Sequence, residues 1–81
     1  MNKREWTDRA YTAQQQLADA ISEKYPDNYL LLDLVGYLDS FYPEMTNSGI
    51  ARMVGYMQGM TYRVTGKHPV MLGTNEDGGE E

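Results

Sequence analysis

The 81-residue sequence predicts an all-α fold, a compact three-helix bundle with a short irregular C-terminal extension and an acidic disordered tail. Three observations lead there. Apolar residues recur every three or four positions in three separate stretches, as amphipathic helices require. Pro26, Pro43 and Pro69 fall between or after those stretches, where a helix must end. Two of the stretches also share a pattern, because LVGYL at 34–38 returns as MVGYM at 53–57, nineteen positions later.

The first helix is expected over about 3–24, with Trp6, Ala10, Ala13, Leu17, Ala20 and Ile21 on one stripe. Pro26 disfavours helical geometry at Tyr25, so the helix ends near Lys24. The second helix is expected over about 28–42. Asp27 and Asn28 are suitable N-caps, and Leu31, Leu34, Leu38 and Phe41 form its stripe. Leu30, Leu32 and Val35 add apolar surface on its other sides, which predicts the most buried element, sandwiched between its neighbours. The third helix, about 48–64, follows the capping residues Thr46, Asn47 and Ser48 and carries Ile50, Met53, Met57, Met60 and Val64. Gly66 reads as its C-cap. Residues 70–72 are expected to fold back on the core, giving a single domain over 1–72, and 73–81 have the composition of a disordered tail.

Aligning the last two helices by nineteen residues sets Asn28 on Asn47, Leu31 on Ile50, Val35 on Val54, Gly36 on Gly55, Tyr37 on Tyr56, Ser40 on Gly59 and Phe41 on Met60. The pairing is either a short helical repeat or two core helices that converged on one pattern. A glycine inside a helix costs about 0.5–1 kcal/mol relative to alanine, so Gly36, Gly55 and Gly59 call for an offsetting role. Gly36 with Ser40, and Gly55 with Gly59, are spaced as flat strips for close helix packing or for self-association as a homodimer.

Charge is distributed unevenly behind a net of −5. The tail holds Glu76, Asp77, Glu80 and Glu81 without a base, whereas 45–72 holds Arg52, Arg63, Lys67 and His68 without an acid. The tail either solubilises the chain or competes with an anionic ligand for Arg52, Arg63 and Lys67. The lack of cysteine excludes disulfides and thiolate chemistry and fits a reducing cytoplasm. The most apolar stretch, 29–42, is too short to span a membrane and carries Asp33 and Asp39.

Signs of catalysis are sparse. His68 stands alone beside Pro69, Asp33 and Asp39 lie on different helix faces, and no phosphate loop or zinc-ligand spacing occurs. No cofactor, metal or catalytic residue is expected. The function expected instead is that of a small non-enzymatic regulator, adaptor or inhibitor, of the bacterial or phage type by association, that binds a larger protein or nucleoprotein. Its binding residues are expected to be Arg52, Tyr56, Tyr62, Arg63 and Lys67, with Tyr25 and Tyr42 as further aromatic candidates. The methionines of the third helix form either a plain core or a pliable groove. Two other classes stay open. The last two helices can be read as a helix-turn-helix with Arg52 and Arg63 on the reading helix, and the glycine faces can be read as those of an assembly subunit.

Overall fold

The computed structural model describes residues 2–66, and these are helical throughout apart from two short connections. Helix α1 spans Lys3–Lys24, α2 spans Tyr29–Tyr37, a 3-10 segment follows over Leu38–Glu44, and α3 spans Asn47–Thr65. No strand occurs among the described residues. Lys67, His68, residues 70–72 and the acidic tail lie outside them.

Local chemistry sets each boundary. The Asn2 Oδ1 accepts from the Glu5 N–H at 2.9 Å while the Glu5 carboxylate accepts from the Asn2 N–H at 3.0 Å, a capping box that opens α1. Asn28 caps α2 by accepting from the Leu31 N–H at 3.1 Å. Thr46, rather than Asn47 or Ser48, caps α3 by accepting from the Gly49 N–H at 3.1 Å, so the caps of α2 and α3 are one residue out of the nineteen-residue register. Gly66 closes α3 in the left-handed conformation at φ 74°, as the C-cap reading expects. The second helix departs from its expected course. It tightens into the 3-10 segment after Tyr37, and Pro43 sits inside that segment instead of ending the helix ahead of it.

The topology follows from contacts at the two ends of α1. The Lys3 ammonium donates to the Pro43 carbonyl at 2.6 Å, just before α3 begins, and the Lys24 ammonium donates to the Val64 carbonyl at 3.2 Å, where α3 ends. α1 and α3 therefore run side by side in the same direction, and α2 with the 3-10 segment runs back along α1. The largest interface joins α1 to α3; α2 rests on α1 alone and scarcely meets α3.

That arrangement overturns the expectation of a sandwiched second helix. The core consists of Ala10, Ala13, Leu17 and Ile21 from α1, Ile50, Val54 and Met57 from α3, Tyr42, and from α2 only Val35. The alanines of α1 let α3 approach closely, and the apolar stripe of α1 is too narrow to cover a second helix fully. α2 carries apolar side chains on most of its sides, yet only its edge finds a partner. The stripes are also rotated from their expected positions. On α3 Val54 and Thr61 turn inward while Met60 turns out, and along α2 and the 3-10 segment Leu31, Val35 and Leu38 face the core while Leu34 and Phe41 do not. Packing between α2 and α3 through their small residues is absent, since a Cβ added at Gly36, Gly55 or Gly59 would meet nothing within 4 Å.

One buried polar chain ties the 3-10 segment to the rest. Gln14 donates to the Val35 carbonyl at 2.8 Å, at the point where α2 changes to 3-10, and its Oε1 accepts from the Tyr42 hydroxyl at 2.9 Å. Tyr42 is fully buried, with its ring edge-on to Tyr11 at 5.3 Å and its hydroxyl 3.7 Å from the Met57 sulfur. It is a core residue, not the surface aromatic expected. Burial raises its pKa to about 12, helped by the Asp39 charge and by Tyr11.

Candidate functional site

Helical geometry turns four α2-side residues outward as a group: Leu30 is 72% exposed, Leu34 56%, Tyr37 64% and Phe41 47%, at spacings of four, three and four. Tyr29, 68% exposed, borders them. The Tyr37 and Phe41 rings meet edge to face at 5.5 Å, which organises that end of the strip. Exposed Asp33 lies along one edge of this strip, on the side of Tyr29, with exposed Gly36 and Ser40 further round, and a Cβ added at Gly36 would meet nothing within 4 Å. The Ser40 hydroxyl donates to the Tyr37 carbonyl at 2.7 Å, so it is turned back on its own helix. Around the face the sequence supplies Asp27, Asp33, Asp39 and Glu44, and positions 25–51 contain no lysine or arginine. The surface is apolar and acidic.

The outer face of α3 is built on the same plan with the opposite charge. Arg52, Tyr56, Gly59 and Arg63 are all exposed and follow one another along the helix, Met60 flanks them on one side, and Gly55 and Tyr62 lie on the other. Three of the expected binding residues, Arg52, Tyr56 and Arg63, are therefore brought onto one strip, with Tyr62 at its edge. Lys67 lies outside the described residues. The small residues Gly36 on α2 and Ser40 in the 3-10 segment, and Gly55 and Gly59 on α3, are on faces that do not meet within the molecule. Tyr25 is at the α1 terminus with the Lys24 ammonium 5.8 Å from its ring centre.

Nine residues, 38–46, separate α2 from α3, and the two helices scarcely touch, so the tight turn of a helix-turn-helix is absent. A shallow groove of about 270 Å³ between α1 and α2 is lined by Tyr11, Gln14, Gln15, Leu32, Gly36 and Asp39. Its volume falls below the roughly 300–1,000 Å³ of ordinary ligand pockets. Among the described residues no three His, Cys, Asp or Glu side chains converge to hold a metal, and no helix is long and apolar enough to cross a membrane.

Leu30, Leu34 and Phe41 are the surface residues that sequence reasoning missed, Leu34 and Phe41 because their spacing reads as core and Leu30 because a helix apolar on several sides reads as sandwiched. The available signal was Asp33, a charge beside that stripe, together with a helix apolar on more sides than a chain of this length can cover. No protein-family model matches the chain, and it shows no significant similarity to a curated protein or to a solved structure.

Proposed function

We propose that this chain is a non-enzymatic interaction protein, a small cytoplasmic regulator, adaptor or inhibitor that acts by occupying a surface of a larger protein or nucleoprotein. The observation that carries the reading is the uncovered strip of Leu30, Leu34 and Tyr37 on α2 and Phe41 just after it. At roughly 200 Å² for each large side chain, this strip with Tyr29 leaves about 600 Å² of mostly apolar surface in water, the upper end of what a soluble monomer ordinarily shows. Aromatic anchors surrounded by a charged rim are the usual anatomy of an energetic hot spot. The acidic rim suits a partner surface that brings apolar anchors flanked by lysine or arginine. The sequence pattern pointed to the α3 side as the working face; the uncovered apolar surface moves the weight of the proposal to α2.

The test is capture of binding partners by the full chain, compared with Leu30→Glu/Leu34→Glu and with Arg52→Glu/Arg63→Glu. Loss of captured species with the α2 pair supports the reading, and an identical set retained by both variants contradicts it.

A second reading, a DNA-binding regulator, draws on the exposure of Arg52 and Arg63 along α3. Binding to duplex DNA that weakens steeply with ionic strength would favour it, since phosphate contacts release counterions.

A further inference from the structure

The nineteen-residue similarity acquires a second meaning once the exposed positions are compared. Asp33 and Arg52, Gly36 and Gly55, Tyr37 and Tyr56, Ser40 and Gly59, and Phe41 and Met60 are corresponding pairs, and every one of the ten residues is exposed. The two outer faces therefore present small and aromatic side chains in one arrangement, with a carboxylate on α2 where α3 has a guanidinium. Within one molecule the faces do not meet. We propose that the outer face of α2 docks on the outer face of α3 in a second copy, so that the chain assembles head to tail.

Charge decides among the possible pairings of copies. In an α2-on-α2 contact a two-fold axis would bring Asp33 toward its own equivalent, on a segment, 25–51, that has no lysine or arginine of its own to offset it. In an α3-on-α3 contact Arg52 and Arg63 would face Arg52 and Arg63. Only α2 on α3 sets Asp33 against arginine while Tyr37 and Phe41 cover apolar surface around Tyr56 and Met60. The absent side chains at Gly36, Gly55 and Gly59 leave room for close approach of the two helices along one side of the contact. The α2-side strip alone brings about 600 Å², half of the roughly 1,200 Å² at which specific interfaces begin, and on α3 Tyr56 is 61% exposed, Met60 53% and Tyr62 44%. A contact between unlike faces does not close on itself after two copies, so it generates rings or filaments rather than a two-fold dimer. The proposal rests on the reading of the α2 face as a docking surface and names its occupant.

Sedimentation of the full chain tests it, using wild type, Asp33→Arg, Arg52→Glu/Arg63→Glu, and a mixture of the two variants. The wild type is expected to rise from the 9.2 kDa monomer to dimers and larger species as concentration climbs, over roughly 10 μM to 1 mM, and to fall back at high salt. Each variant alone is expected to associate at least about tenfold more weakly, because both of its faces then carry the same sign. Mixing them restores opposite signs at every contact and should restore assembly. Circular dichroism melts show whether the charge reversals fold. If either does not, Asp33→Asn and Arg52→Gln/Arg63→Gln take their place, and each neutral variant is expected to weaken assembly by itself. A wild type that stays monomeric throughout overturns the proposal, and it leaves the α2 docking reading standing if Leu30→Glu/Leu34→Glu still abolishes partner capture. Assembly that survives both α3 variants overturns it in favour of contact between α2 faces. Variants that remain monomeric when mixed overturn it as well.

Discussion

Val35 in α2 and Val54 in α3 are both buried, and the Gly-Tyr pair after each is exposed, yet the two helices stand in different relations to the core. α3 lays Ile50, Val54, Met57 and Thr61 along α1 over most of its length. α2 commits Val35 and the partly buried Leu31 and Leu32, and leaves Leu30, Leu34 and Tyr37 in water. The difference teaches that an apolar pattern reports how much surface a helix offers, while the neighbour's stripe decides how much of it is covered. With α1 presenting one narrow stripe, the second helix to arrive is covered in part only.

The largest expected effect contrasts two aligned positions. Ile50 is fully buried, and Ile50→Ala should cost about 2–5 kcal/mol in urea melts. Its counterpart Leu31 is half-buried, so Leu31→Ala should cost about 1–2 kcal/mol, scaled to the smaller area it covers. Equal losses at both positions would mean that α2 is as deeply packed as α3.

Next in size is the buried chain that holds the 3-10 segment. Tyr42→Phe leaves the Gln14 Oε1 without its donor and should cost about 1–3 kcal/mol. The same tyrosine sets an alkaline limit. Its pKa is raised from 10.0 to about 12, so the neutral phenol favours the folded state. That contribution is complete below pH 10 and is lost as pH rises through about 12, with a total on the order of 3 kcal/mol. Denaturation followed by circular dichroism from pH 8 to 12 should show a fall that Tyr42→Phe makes shallower.

Two smaller effects concern the outer faces. Gly55→Ala and Gly59→Ala meet no neighbour, so each should stabilise the dilute chain by about 0.5–1 kcal/mol through helix propensity. Leu34→Gln should change stability by less than about 0.5 kcal/mol, because the side chain is already in water. Both are read from thermal melts.

These contrasts also mark what the sequence made legible. Three helices, the ends of α1, the Asn28 cap and the Gly66 stop were all readable, because caps and prolines act over a few residues. The face of α2 was not. Leu31, Leu34, Leu38 and Phe41 form one regular stripe, and Leu31, Val35, Leu38 and Tyr42 form another a single residue away. Side-chain hydrophobicity favours the first. The molecule uses the second, because Tyr42 fills the space beside Tyr11 and Met57 and its hydroxyl finds Gln14, a partner 28 positions away that no local rule reveals. On α3, by contrast, the helical spacing of Arg52, Tyr56 and Arg63 was readable and all three are exposed, since arginines at helical spacing seldom turn inward.

The most direct measurement is the accessibility of individual side chains to a soluble paramagnetic agent, read by NMR in dilute solution and again at high protein concentration. In dilute solution the Leu30 and Leu34 methyl signals should broaden strongly while those of Ile50, Val54 and Leu17 stay sharp. On concentration Leu34 on α2 and Met60 on α3 should become protected together. Leu30 and Leu34 signals that are already protected in the dilute monomer would contradict the account, because α2 would then be buried within the chain and its outer face would not exist.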